Sequence, residues 1–291
     1  MKKLIILVIL ILLVFASCGG DKENPIPKDM EETPVRNFEY KSIAGGIEII
    51  KYTGLSMRVR IPEKIDGKSV ASIGAGAFEN SGIMEIYIPN KITKIGDRAF
   101  AGNIVLYSVT IPKSVTSIGN GVFRGCTDLK SLKINSKTSV GSIILFNGDI
   151  WRVLEIKDGK ALIISEDVLF TRPYNFSKIN ITWEDCGLRD YLNGEFYNNF
   201  AEDNKIRIIE NDFKDKIFLL SIEEAEKYFA SESLRAAYNA DGMAWWWWLR
   251  SPGESGSDAA RVFGDGYINL TGGSVDFDMG GVRPAMWVEL D

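Results

Sequence analysis

The stretches VASIGAGAF (70–78), ITKIGDRAF (92–100) and VTSIGNGVF (115–123) decide the fold. Each follows an Ile-Pro pair, at Ile61-Pro62, Ile88-Pro89 and Ile111-Pro112, and each ends in a phenylalanine. Phe78, Phe100 and Phe123 recur after 22 and then 23 residues. A fixed period of roughly 20–50 residues marks an array in which one unit cannot bury its own apolar face and stacked units can. Within a unit, a short alternating strand such as Glu85-Ile86-Tyr87-Ile88 ends at Pro89, which has no N–H to give to a ladder. Ile92 and Ile95 then point inward, Gly96 permits a tight turn, and Phe100 packs beneath the next coil. The spacing predicts a β-rich solenoid, with Cys126 in FRGCTDL as a small apolar plug and residues 37–60, containing IEIIKYTGL, as an atypical N-terminal cap.

Upstream of the array the text is that of an exported protein. Lys2 and Lys3 precede an apolar run from Leu4 to Phe15, which is signal-peptide length and short of the roughly 20 residues that span a bilayer. The run ends in Phe15-Ala16-Ser17-Cys18, a pattern that resembles a bacterial lipobox. The expected leader is therefore residues 1–17, with Cys18 as the lipidated first residue of the mature chain. Residues 18–36 are rich in Gly, Pro and charge and read as a disordered tether. No Asp follows Cys18, and Asp21-Lys22-Glu23 resembles export signals of some surface lipoproteins, so the expected address is the outer membrane, facing outward.

The chain has 34 basic and 39 acidic residues, and loss of Lys2 and Lys3 with the leader moves the net charge from −5 to about −7. With no basic cluster, nucleic acid is not an expected partner. Histidine is absent, which removes the commonest general base and metal ligand and disposes of Ser-His-Asp and Cys-His chemistry. Cys126 and Cys186 fall in different halves and read as buried thiols rather than a disulfide.

The pattern of residues 37 to 136 resembles the BspA-type leucine-rich repeat of bacterial surface proteins. What that resemblance implies is protein or matrix binding, although so short an array suits a spacer equally well.

From Val140 the pattern changes. SIILFNGDIWRVLEIKDGKALIISEDVL carries three strand-like runs, with Asp158-Gly159 as a two-residue hairpin turn. Thr182 is placed to cap a helical segment around Leu188 to Leu192, and Ser221 with Glu224 forms a capping box. AARVFGDGYINL turns at Asp265-Gly266, and GGVRPAMWVEL reads as a terminal strand. Strands first and last with helices between predict an α+β domain whose two ends share a sheet. The run DIWRVLEIKDGKALIISED, with TWEDCGLRDYLNGEFYNNF, WWLRSPG and GVRPA, resembles a widespread bacterial domain of unknown function. The order of elements resembles C-type-lectin-like folds. The expected organisation is a leucine-rich-repeat domain over 37–138 and an α+β domain over 139–291.

Trp245-Trp246-Trp247-Trp248-Leu249-Arg250 is the most unusual run. On a strand, Trp245, Trp247 and Leu249 share one face and Trp246, Trp248 and Arg250 the other. The second set mixes aromatic faces with charge, as a surface that meets sugar rings or aromatic groups would, and with the loop Ser251–Ser257 it is the expected ligand-binding site. Arg283 reads as half of a structural pair with a carboxylate. Glu166-Asp167 and Glu184-Asp185 read as solvated caps rather than as a glycosidase pair, and Asp265, Asp276 and Asp278 lack the spacing of a calcium loop. The expectation is a non-catalytic surface lipoprotein, with no cofactor or metal, that binds an extracellular protein, matrix or glycan ligand. The alternatives are a carbohydrate-active enzyme and a purely structural display protein.

Overall fold

The computed structural model describes residue 27 and residues 29–134 and 137–290. The leader and Cys18 lie outside the described residues, and no described helix is long and apolar enough to cross a membrane.

The first half is a solenoid built from β1 (Phe38–Ile43), β2 (Gly46–Tyr52), β3 (Arg58–Arg60), β4 (Lys64–Ile65), β5 (Lys68–Ile73), β6 (Glu85–Tyr87), β7 (Lys94–Ile95), β8 (Ser108–Ile111), β9 (Ser117–Ile118) and β10 (Ser131–Ile134). One sheet runs β1-β2-β5-β7-β9 and the other β10-β8-β6-β3. All pairs that join successive coils are parallel, while β1 turns back antiparallel on β2. The β1–β2 hairpin is the expected N-terminal cap, and β3, in the same stretch, already belongs to the first rung of the second sheet. The recurring phenylalanines form a column: Tyr52 on Phe78 at 5.6 Å, Phe78 on Phe100 at 5.4 Å, and Phe100 on Phe123 at 5.4 Å. Such ring pairs add about 0.5–1.5 kcal/mol each beyond the area they bury. Asn103, fully buried, ties two coils by donating to the carbonyls of Phe78 and Phe100 and accepting from the Ile83 amide.

The end of the expected tether is not disordered. Met30 and Thr33 are buried, and Thr33 exchanges hydrogen bonds with the backbone of Arg60. Asp29 pairs with Arg58 at 2.8 Å. β3 is the edge of its sheet, and an edge strand offers unpaired backbone groups that a passing segment can satisfy.

The second half contains two larger sheets. The first orders β11 (Ile143–Phe146), β12 (Asp149–Lys157), β13 (Lys160–Ser165), the terminal β22 (Ala285–Glu289) and β15 (Ile208–Ile209). The second orders β14 (Phe170–Thr171), β21 (Gly281–Val282), β18 (Trp247–Pro252), β19 (Asp258–Val262) and β20 (Ile268–Ser274); β16 (Ala237–Tyr238) and β17 (Ala244–Trp245) pair separately. The β12–β13 turn has positive φ at both Asp158 (50°) and Gly159 (76°), the geometry a tight two-residue hairpin requires. The last strand pairs with β13, so first and last strands share a sheet as expected. Ser221 and Glu224 form a reciprocal capping box on helix Ile222–Tyr228. Thr182 does not cap the segment near Leu188: helix Gly187–Tyr191 starts at Cys186, whose sulfur accepts from the Arg189 amide. The chain turns between a short 3-10 helix over Trp183–Asp185 and this helix, so the cap falls four residues later than spacing alone suggests.

Two apolar clusters result, one in each half. The solenoid cluster extends beyond the repeats, because Ile143 of β11 is buried in it and Ile150 of β12 packs against it.

Candidate functional site

The tryptophan run does not lie on one strand. Trp245 ends β17, Trp247 begins β18, and Trp246 is the break between them. Trp247 and Trp248 are fully buried. Their indole N–H groups donate to the carbonyls of Arg235 (3.2 Å) and Arg172 (3.1 Å), satisfying the only polar atom each side chain carries. The expectation that Trp248 faces a ligand is therefore corrected: β18 is covered on both faces, and Trp248 packs against Tyr174 at 5.8 Å.

Arg250 is also committed internally. It forks onto Glu224 and donates to the Leu219 carbonyl at 2.8 Å, tying β18 to the start of the Ile222–Tyr228 helix. Glu224 thus serves both the capping box and the ion pair. Beside Arg250 lies a groove of about 250 Å³ lined by Trp183, Glu184, Phe213, Ser251, Pro252 and Asp258, which brings in part of the expected loop.

Of the three expected residues, Trp248 is buried and Trp246 and Arg250 are partly buried, but among the described residues Trp246 has no ion-pair partner that holds it inward. It meets Trp248 edge-on at 4.7 Å and Phe277 at 5.7 Å, and the Arg261 guanidinium lies 4.9 Å from its ring. Phe277 is about half exposed. Arg261, whose charge is disfavoured chiefly by partial burial, also lies 5.0 Å from Phe263. The sequence carried a signal for Arg261, since turning the β19–β20 hairpin at Asp265-Gly266 and laying β19 along β18 sets it opposite Trp248. Phe277 lies beyond β20, and no periodic pattern assigned it.

The solenoid presents a second exposed surface. Met57, Met84 and Tyr107 occupy equivalent positions at the start of β3, β6 and β8, joined amide to carbonyl across the coils. All three are exposed. This makes a stepped apolar stripe whose rungs follow the strand spacing of about 4.8 Å.

The expected solvated pair Glu166-Asp167 is instead enclosed at the junction of the two halves. Glu166 accepts two bonds from Arg152, and Asp167 two from Arg124. Arg283 is buried as expected for a structural residue, but its hydrogen-bond partners are the backbone carbonyls of Ser165 (2.8 Å), Glu166 (3.0 Å) and Arg235 (3.3 Å), not a carboxylate side chain. Glu184 and Asp185 do sit exposed in the first turn of the 3-10 helix. Asp265 and Asp276 serve their own turns, accepting from the Tyr267 amide and the Ser274 hydroxyl. Among the described residues, no three His, Cys, Asp or Glu side chains converge on one point. Cys126 and Cys186 are both free and buried, and burial pushes their thiols up to about 12 and about 11.

A parallel two-sheet solenoid with one aromatic side chain stacked per coil is the architecture of a leucine-rich-repeat protein. The comparisons agree: residues 58–153 match the family model of the BspA type leucine-rich repeat region, and residues 158–290 match that of a domain of unknown function, DUF6273. The chain thus carries a BspA-type repeat region followed by a DUF6273 domain. Among solved structures, a leucine-rich repeat protein of T. pallidum aligns at 24% identity over 35% of this chain and 71% of that one, with a TM-score of 0.26. One from Eubacterium ventriosum aligns at 28% identity over 40% of this chain and 32% of that one, with a TM-score of 0.30. A leucine rich cell surface protein from Faecalibacterium prausnitzii aligns at 15% identity over 44% and 59%, with a TM-score of 0.21. No curated protein matches the chain.

Proposed function

We infer that this is a lipid-anchored protein of the outer cell surface that captures an extracellular macromolecule and catalyses no reaction. The observation that carries the reading is the exposed stripe of Met57, Met84 and Tyr107, because apolar side chains repeated in register on a rigid sheet make a pre-organised contact surface. The anchor is Cys18, and a Cys18→Ala chain should lose palmitate labelling and leave the membrane fraction. Capture is tested by screening the mature chain against extracellular-matrix proteins and a glycan array. Met84→Ser with Tyr107→Ser should abolish binding to a protein ligand without changing the melting temperature. Binding that survives this change overturns the stripe as the contact, and binding to nothing on either panel favours a spacer.

A second reading rests on Trp246, Arg261 and Phe277, an aromatic and guanidinium platform suited to sugar rings. It would be a glycan-binding role for the second domain, for which the closing of first and last strands into one sheet supports the C-type-lectin-like resemblance. Trp246→Ala should then remove a glycan-array signal that the stripe variants retain.

A further inference from the structure

A stacked array leaves one apolar face and one row of backbone groups open at its last coil. In this solenoid the row can be followed coil by coil. The Gly76 amide donates to the Asp97 carbonyl and the Arg98 amide to the Asn120 carbonyl, each at 2.9 Å. The next position in the series is Gly121, for which no following coil exists, and its amide donates at 2.8 Å to the carboxylate of Glu166. The opposite series behaves likewise. The carbonyls of Ile49, Ile73 and Ile95 accept from the amides of Gly74, Gly96 and Gly119, each at 2.8 Å. The next carbonyl, Ile118, receives the Arg152 guanidinium at 3.4 Å, and the neighbouring Gly119 carbonyl receives it at 2.8 Å.

We propose that the second domain, formed by the DUF6273 match (158–290) together with strands β11 and β12 that lead into it, is the C-terminal cap of the repeat, with Glu166 and Arg152 standing in for the carbonyl and amide of the coil that is missing. The surface it offers is shaped for one kind of partner, the open end of a BspA-type solenoid. The rest of the junction fits this role. Ile143 and Ile150 cover the apolar end, and Asp167 holds Arg124 of the last coil, whose guanidinium also lies 3.5 Å from the Tyr238 ring. Asn120 reaches the Ser233 carbonyl at 3.4 Å. Arg283, in the GVRPA segment, grips the backbone of Ser165 and Glu166 and so fixes the corner that aims both carboxylates at the coil. Glu166 and Arg152 also neutralise each other, which a buried carboxylate and guanidinium must do. The arrangement is the tertiary counterpart of a helix cap, in which a side chain satisfies backbone groups that the regular element leaves open.

Amide-resolved hydrogen exchange on the full mature chain tests this. In the unaltered protein the Gly121 amide should be protected to within about tenfold of the Arg98 amide, since both have an acceptor. A Gly121 amide that exchanges as an unprotected end overturns the proposal, and this measurement needs no variant. In Glu166→Ala with Arg152→Ala, protection across residues 115–126 should fall by at least about tenfold while residues 70–80 keep theirs. Tryptophan emission, which reports only the second half because all seven tryptophans lie beyond residue 150, should be unchanged. Unaltered protection of the last coil in a variant with that native emission also overturns the proposal.

Discussion

At the N-terminal end of the solenoid, Phe38 packs against Tyr52 and Phe78 at 5.5 and 6.3 Å, and the hairpin that carries it extends the sheet, with β2 parallel to β5 and β1 antiparallel to β2. At the C-terminal end, Arg152 and Glu166 meet the last coil with charge, supplied by strands that belong to another sheet. The first end is closed by apolar area and local chain, and the second by Ile143 and Ile150 together with a polar network whose members are separated by 14 to 45 residues. An apolar closure is tolerant of small displacements, whereas a network of this kind either satisfies all its groups or leaves a buried charge alone.

The difference can be broken most forcefully at Glu166. Glu166→Ala leaves Arg152, whose side chain is only 11% exposed, without its counter-charge and should cost about 3–5 kcal/mol in urea unfolding. Replacing both residues by methionine should recover part of that loss. At the other end, Phe38→Ala should cost about 3 kcal/mol, because its cavity lies at the end of the column where neighbours can settle inward.

Acid should separate the two ends further. Burial alone would raise the Glu166 carboxyl, but Arg152, the Gly121 amide and the more distant Arg283 outweigh it and hold the group below its ordinary value of 4.5. Its contribution is complete above the value it has in the unfolded chain and is lost as pH falls through the lowered folded value. Asp167, paired with Arg124 in the same network, is instead raised by burial, so its titration opposes that of Glu166 and the loss on acidification rests on Glu166. Hydrogen exchange below pH 4.5 should therefore loosen residues 115–126 before residues 47–52, and simultaneous loosening would show that the ends are not independent.

Thiol labelling sharpens the comparison at smaller scale. Both buried thiols should resist a disulfide reagent at pH 8 in the native protein. In Glu166→Ala, Cys126 of the last coil should become reactive and Cys186 should not. Smallest of all, Trp246→Ala should change stability by no more than about 1 kcal/mol, since Trp246 is only partly buried at the edge of its cluster.

The features that a short stretch of sequence dictates were readable without a structure. The 22 to 23 residue period led to the phenylalanine column, Asp158-Gly159 to its hairpin, and Ser221-Glu224 to its capping box. The failures share a cause, which is that burial is set by distant partners. Glu166-Asp167 at a strand end looks solvated until the last coil is brought against it. Trp248 looks half-exposed until Tyr174, 74 residues earlier, covers the second face of its strand. The alternation argument also presumed an unbroken strand, and the break at Trp246 removed that premise. For the binding surfaces, Trp246 was legible as an aromatic in an odd place, while Met57, Met84 and Tyr107 were hidden because they are not identical residues and align only through the coil register.

Glu166 and Arg152 touch backbone groups that recur in every coil, and among the junction contacts Arg124 and Asn120 are peculiar to the last one. Array length is then free to drift. Duplicating one 23-residue unit upstream of Val115 should give a folded chain in which the terminal domain stands about 4.8 Å farther out, with its docking unchanged. A family of such proteins would be a set of rulers cut to different lengths and finished with the same end-piece.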